Sequence, residues 1–418
     1  MAQPCRPMNV LVGWEGKHVF ELIRDPRIDM KAAAKGAAPD LIVIPAAKIR
    51  LGFMKAIETL PREVWARAAA GDALVVFDVS TEAGPYPPRP GNELHRFARF
   101  AGVPPERCVY IVQDRDYRAP YEVNCAAKGV QPMTVLNYDY FVKLVIGSHA
   151  DDGPAVFEDR LADFEARAAS RMRRFISLNM SSRGTKVAFL LSLIRDGLWD
   201  QGFISFSGFD KARNFRAVSI KSIQAQINSI PGFAALGEEL WPYLDTLAGY
   251  GPMQVGKVQQ VRGRPDLIKA PVLDTPLPHH NQSWFTVVTE TEMVGPRRIT
   301  EKPLKALLNF HPALVLGHDG ALAILRGLGF RTFGGYVDES YDSEPDPRAR
   351  FDRVYAEVRR LCALPQAELH RMERELAGTL THNARWGLTE LPRVFRERID
   401  VELVDRLAEV FQAPARAA

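Results

Sequence analysis

Short β-branched apolar runs alternate with stretches of helical period, and this alternation occurs twice along the chain. In the first pass "MNVLVGW", "DLIVIPA", "ALVVFDVS", "RCVYIVQD" and "PMTVLNYD" read as strands, each bounded by Gly, Pro or Asp. "GFMKAIETLPREVWARAAAG" and "GNELHRFARFAG" lie between them and read as helices. Strands that alternate with helices require a parallel sheet covered on both faces. This first unit spans 1–150. The charged helical stretch "ADDGPAVFEDRLADFEARAASRMR" then reads as a connector, over 151–170. Over 171–350 the pattern restarts with "RFISLNM", "FISFSG", "SWFTVVTE", "PALVLG" and "RTFGG" as strands, and 351–418 reads as a helical tail that could cross back to the first unit. The predicted fold is therefore α/β: two Rossmann-like domains facing each other across a cleft, with a C-terminal helical tail.

Composition narrows the partners. The chain has 418 residues, enough for two or three domains at about 100–200 residues each. Its net charge of +4 is spread along the sequence, so no nucleic-acid partner is expected. The densest basic cluster, Arg171, Arg173, Arg174 and Arg183, suits a small phosphorylated ligand. Cys5, Cys108, Cys125 and Cys362 are far apart and make no C-x-x-C, which argues against a disulfide framework or a zinc site and for a reducing compartment. No signal peptide is read at the N-terminus, and no apolar stretch approaches the roughly 20 residues of a membrane helix. A soluble cytoplasmic protein is expected, with peripheral membrane contact left open.

Open α/β sheets bind ligands beyond the carboxyl ends of their strands. The informative residues follow strands. "NMSSRGTK", Asn179 to Lys186, leads from a strand into a helix. Its small residues let backbone approach a ligand, the helix start offers N–H groups, and Arg183 and Lys186 add charge. The pattern suits a diphosphate, although it is neither a Walker loop nor G-x-G-x-x-G. An ordinary strand-to-helix turn with solvated basic residues would look the same. "VVTETEMVGPRRITEK" holds Glu290, Glu292, Thr300, Glu301 and Lys302. Thr300 reads as the N-cap of a helix starting at Glu301. A carboxylate there can complement the helix dipole or accept both hydroxyls of a ribose.

His311, before Pro312, reads as structural. Asp338, Glu339 and Asp342 in "VDESYD" read as caps for the segment that follows rather than as metal ligands, and no metal is expected at His279–His280. In the first unit "VVFDVSTEAGPYPPRPG" ends a strand with Asp78, Ser80, Thr81 and Glu82, where a carboxylate could act as a general base. "QDRDY", with Asp114 and Asp116, has the spacing of the D-x-D of metal-dependent transferases but is too short to carry weight.

Taken together, "NMSSRGTK", "TETE…ITEKPLKALLNFHPALVLG" and "LRGLGFRTFGGYVDESYD" resemble the C-terminal half of bacterial GT-B type glycosyltransferases. The motifs are similar to those of α-1,3-fucosyltransferases and exostosin-like enzymes. The likeness covers roughly 170–350, with Met180 and Lys186 standing where Arg is usual. It implies a nucleotide-sugar-dependent transferase with a glycan, lipid-linked or protein acceptor and no cofactor. Arg183 and Lys186 would hold the donor's phosphates, and Asn179 would be among the substrate-binding residues. Thr300, Glu301 and Lys302 would hold ribose and phosphate, and Glu290 or Glu292 would face the sugar. The reading adds metal-independent, inverting transfer with Glu82 as base. A GT-B epimerase on nucleotide sugars and a non-catalytic binding protein remain the alternatives.

Overall fold

A computed structural model describes residues 6–13, 16–45, 55–81, 93–149, 151–179, 181–210, 217–253, 259–261, 264–269 and 278–413. By compactness the chain forms two units. One is Met1–Gly147 with Pro296–Arg298 and Pro392–Ala418; the other is Ser148–Gly295 with Ile299–Leu391. Each is a parallel sheet flanked by helices, so the fold is α/β, and the C-terminal region is helical.

In the first unit β1 (Met8–Val12), β2 (Ile28–Asp29), β3 (Leu41–Pro45), β4 (Leu74–Asp78), β5 (Cys108–Val112) and β6 (Thr134–Asn137) pair in parallel, in the order β2-β1-β3-β4-β5-β6. Every residue of β3, β4 and β5 is buried. Both faces of these strands are covered, which is why they read as unbroken apolar runs instead of alternating. The helices are α1 (Met30–Ala34), α2 (Arg62–Ala70), α3 (Glu93–Phe100), α4 (Arg118–Ala127) and α5 (Tyr140–Gly147). The long helix expected over "GFMKAIETLPREVWARAAAG" is interrupted: helix runs to Thr59, breaks at Leu60–Pro61 and restarts at Arg62. Pro61 lacks an N–H and its ring would clash with the preceding turn, so it serves as the N-cap of α2.

In the second unit β7 (Phe175–Asn179), β8 (Gly202–Phe206), β11 (Phe285–Thr289) and β12 (Ala313–Leu316) form a parallel sheet of order β12-β11-β7-β8. A separate antiparallel pair, β9 (Gln259–Val261) and β10 (Arg264–Lys269), lies in the sequence between β8 and β11. The helices are α6 (Gly153–Glu165), α7 (Gly184–Arg195), α8 (Ile220–Asn228), α9 (Phe233–Leu240), α10 (Leu244–Tyr250), α11 (Glu301–Leu307), α12 (Ala321–Gly327), α13 (Pro347–Ala363) and α14 (Gln366–Arg385). From β7 the chain steps to β8 on one side, and β11 and β12 fill the other side. The direction of winding therefore reverses between β7 and β11. "RTFGG" is not a strand and makes only an isolated bridge between Gly334 and Val337. The Glu339 carboxylate takes the Phe333 N–H and the Thr332 hydroxyl, and Gly335 turns the chain at φ 123.

The final helix, α15 (Asp400–Gln412), belongs to the first unit. Asp400 is 1% exposed and accepts from Tyr138 Oη at 2.8 Å and Lys143 Nζ at 2.7 Å. Arg107 Nη1 reaches the carbonyls of Val410 and Phe411. Between α14 and α15 the backbone widens into π-helical turns at Trp386–Glu390 and Phe395–Ile399. No described helix is long and apolar enough to cross a membrane.

Candidate functional site

The crevice outside the carboxyl ends of β7 and β11, where the winding reverses, is where an open α/β sheet takes its ligand. Both segments singled out in the sequence emerge there. After β7, Asn179 is buried and its side chain is committed internally. Its Nδ2 donates to Ser177 Oγ at 2.8 Å, and its Oδ1 accepts from Thr289 on β11. Its backbone N–H goes to Ser205 Oγ on β8 at 3.1 Å. Ser182 continues this polar row: its N–H donates to Ser207 Oγ at 3.0 Å, and its Oγ donates to Gly208 O at 2.8 Å. Small hydroxyls thus lock the β7 turn to the strands on either side. Met180 lies outside the described residues.

Arg183 is the N-cap of α7. Its backbone is extended, its side chain makes no capping bond, and it is exposed. Gly184 is required by packing, because a Cβ there would lie 3.0 Å from Gln226 Cβ on α8. Gln226 Oε1 also accepts the Gly184 N–H at 3.1 Å. Lys186, on the first turn of α7, is only 3% exposed. Its ammonium has no hydrogen-bond partner among the described residues. Burial, then the cations Lys302 and Arg183, bring it down from 10.5 to about 7 against the opposing pull of Glu290 and Glu301. Arg183 and Lys186 share the start of α7, and Glu290 and Lys302 are joined by their side chains.

Glu290 follows β11 directly, and its N–H donates to Leu316 O, extending the ladder to β12. Its carboxylate is buried and accepts from Thr300 Oγ1 at 2.8 Å to each oxygen and from Lys302 Nζ at 2.8 Å. Gly317 makes room, since a Cβ there would meet Glu290 Cβ at 3.0 Å. Thr300 is the N-cap of α11 and accepts the Lys302 N–H. So the Glu-Lys pair at the helix start divides its work. Lys302 turns back to Glu290, while Glu301 and Glu292 are each half-exposed.

Arg350, on α13, is a participant the sequence did not suggest. It is 1% exposed, and burial lowers its pKa. Its guanidinium donates to the carbonyls of Gly317 (2.8 Å), Met293 and Glu344. It staples the two turns that leave β11 and β12, on either side of Glu290. An Arg in an amphipathic helix reads as a surface residue, so only the fold exposes this role.

Several expectations are revised. The basic cluster is split: Arg171, Arg173 and Arg174 precede β7 while Arg183 follows it, roughly 17 Å apart along a five-residue strand. Arg171 is buried, paired with Glu373 and stacked 4.0 Å over Trp284, so it is part of the core. Asp342 caps the preceding helix α12, not the following segment, through the N–H groups of Leu322 (2.7 Å) and Ala323 (3.0 Å). Asp346 caps α13. His311 is fully buried. Its Nε2 donates to Ser283 O at 2.9 Å, which fixes the neutral tautomer, and its Nδ1 accepts from Thr286 Oγ1 at 2.7 Å. Burial holds it well below the usual histidine range. Among the described residues, no three His, Cys, Asp or Glu groups are placed to hold a metal ion.

In the first unit Asp78 is fully buried at the end of β4 and accepts from Val19 N at 2.6 Å and from Ser80 N and Oγ. Burial raises it to about 6. It anchors the turn that carries His18. Asp114 accepts the backbone N–H of Arg297, and Asp116 accepts from its guanidinium at 3.1 Å, so the D-x-D holds a chain segment. Glu82, the expected base, lies outside the described residues.

The crystal structure of an alpha,alpha-trehalose 6-phosphate synthase from Burkholderia multivorans is similar at 13% identity and a TM-score of 0.38, covering 93% of this chain and 75% of that one. A likeness this slight carries no argument about function. No family model matches the chain, and no curated protein matches it.

Proposed function

We propose that the protein is a glycosyltransferase of GT-B type and that its second unit binds the diphosphate of a nucleotide-sugar donor at the β7–β11 crossover. The observation that carries this reading is Lys186, a lysine only 3% exposed, set on the first turn of α7 three residues after the exposed Arg183. A buried charge is costly unless something compensates it. A diphosphate does so, and the α7 N-terminus favours the same sign of ligand. Glu292 and Glu301, both half-exposed, would supply carboxylates for sugar and ribose hydroxyls, with Glu290 holding Thr300 and Lys302 behind them. The motif resemblance over 170–350 agrees with this assignment.

Breaking the sugar–phosphate bond leaves negative charge on the nucleoside diphosphate. Lys186, held in the first turn of α7, would stabilise that charge with little reorganisation, and Arg183 would add its charge from the exposed N-cap position. The finer reading is an inverting transfer in which the leaving charge is balanced by these side chains and Glu82 deprotonates the acceptor hydroxyl. Glu82→Gln is then expected to abolish turnover with donor affinity near normal; lost donor binding or unchanged turnover refutes the assignment. The function itself is tested by incubating the protein with a panel of nucleotide sugars and following release of nucleoside diphosphate, with and without sugar acceptors. Release that depends on Lys186 supports the reading. Interconversion of free nucleotide sugars without release, or binding with no chemistry, overturns it.

A further inference from the structure

We infer that α11 transmits between the ligand site and the segments by which the chain passes into the first unit, with Arg160, Arg167, Phe310 and Gly387 as positioning residues for the side chains at its start. This rests on the diphosphate reading above, which uses Glu301 and Lys302 at one end of α11, and it turns on the other end, about 10 Å away along seven residues.

The far end of α11 closes as a Schellman turn, with the His311 N–H on Ala306 O at 3.1 Å. The left-handed position of that turn is taken by Phe310, at φ 53 the one residue other than glycine with a positive φ among the described residues. Glycine is the ordinary occupant, and a bulky side chain there is strained. What Phe310 gains is a grip on α6. It is fully buried, with its ring stacked 5.0 Å from that of Phe164 and 5.8 Å from that of Phe157. Two arginine side chains take the last carbonyls of α11. Arg160 Nη1 on α6 donates to Leu308 O at 3.0 Å, and Arg167, just past α6, donates to Asn309 O at 2.6 Å and Phe310 O at 2.7 Å. Cations at the carboxyl end of a helix also complement its dipole.

Both segments that lead into the first unit pack at this end. α6 opens at Gly153, just past the Gly147–Ser148 boundary, and the return at Leu391–Pro392 follows directly on the π-helical turn Trp386–Glu390. Within the second unit a Cβ on Gly153 would overlap Leu388 O, and one on Gly387 would overlap Leu308 Cδ2. Close approach demands both glycines, so the turn, the start of α6 and the end of α11 have no slack to move separately. Before α11, Pro296–Arg298 belongs to the first unit and ends two residues short of Thr300. A shift of these segments therefore carries α11 with it, and with α11 the Lys302 ammonium, which sits 2.8 Å from Glu290 and 3.0 Å from Thr300 Oγ1. Linkage works both ways: a ligand that fixes Glu301 and Lys302 quiets the same segments.

Hydrogen exchange on the full chain, with and without UDP-glucose, GDP-mannose or ADP-glucose, reads the transmission with no substitution. The probe that binds is expected to slow amide exchange over 300–308 and also over 153–160 and 386–391, stretches that hold no residue assigned to the ligand. Isothermal titration then tests the contacts. Gly387→Ala pushes on Leu308 and should weaken the probe about 5-fold or more. Adding Leu308→Ala makes room for the methyl and should recover most of the loss. A merely structural role would lower the denaturation midpoint and leave the folded protein's affinity unchanged. Circular dichroism checks that both variants fold; if Gly387→Ala does not, the exchange result on wild type decides. Protection that stops short of 153–160 and 386–391, affinity indifferent to Gly387→Ala, or a loss that Leu308→Ala does not relieve overturns the inference and leaves the diphosphate reading standing. If none of the probes binds wild type, the diphosphate reading falls, and this inference falls with it.

Discussion

Replacing Lys186 with Met should stabilise the second unit, and by an amount that depends on pH. Met fills the space of the lysine stem but carries no charge to bury. Lysine in an unfolded chain holds its proton to about pH 10.4, whereas folded Lys186 holds it only to about 7. Between these values the unfolded state binds more protons, so the lysine's penalty shrinks as pH rises, by about 1.4 kcal/mol per pH unit. At and below neutrality the full cost applies, about 4–5 kcal/mol on the same scale. From pH 7 to pH 9 the advantage of Lys186→Met over wild type should therefore narrow by about 2 kcal/mol. All other titrating groups are common to both proteins and largely cancel. Urea denaturation at the two pH values, followed by tryptophan fluorescence, makes the comparison. Trp199, Trp241, Trp284 and Trp386 all lie in the second unit, so the signal reports mainly on it. A variant less stable than wild type at pH 7, or one with the same advantage at both pH values, refutes the claim that a poorly compensated ammonium sits at the start of α7.

Glu290→Ala removes the buried carboxylate from Lys302 and should cost about 3–5 kcal/mol in urea denaturation while also weakening nucleotide-sugar binding. Arg350→Met leaves three carbonyls without their donor. At about 1–3 kcal/mol for each unsatisfied buried group it should destabilise strongly, and added guanidinium at low concentration should restore ligand affinity if the residue acts by holding the turns beside Glu290. Asp400→Ala strips Lys143 of its partner in the first unit and should cost about 3–5 kcal/mol, read as a lower denaturation midpoint.

The strands were legible because burial on both faces writes itself as uninterrupted Val, Ile, Leu and Phe, as in β3, β4 and β5. The N-cap at Thr300 was legible because capping is local. What could not be read was anything fixed by residues distant in sequence. The helix over 52–71 looked continuous, since its apolar period survives the break that Pro61 imposes. The arginines of 171–174 and Arg183 are close in sequence but fall at opposite ends of β7. Asp342 was assigned to the segment after it because nothing in the sequence shows that α12 folds back onto it. Arg350 and the hydroxyls of Ser177, Ser205, Ser207 and Thr289 gave no signal, and Ser182 was read only as a small residue, because each works through a strand or turn that only the fold brings alongside. The candidate residues Arg183, Lys186, Glu290, Glu301 and Lys302 were named from loops after strands. That β7 and β11, which carry these loops, are neighbours is decided by strand order alone.

The most direct test of the account is an affinity measurement on Arg183→Ala. Arg183 is exposed and its side chain makes no capping bond, so its loss should leave folding intact. Titration with UDP, GDP and ADP and their sugars should identify a ligand that wild type binds, and Arg183→Ala should weaken it about 10–100-fold, the worth of one hydrogen bond to a charged group. Failure of every nucleotide to bind wild type, or binding that is indifferent to Arg183→Ala, would contradict a diphosphate site at the β7–β11 crossover.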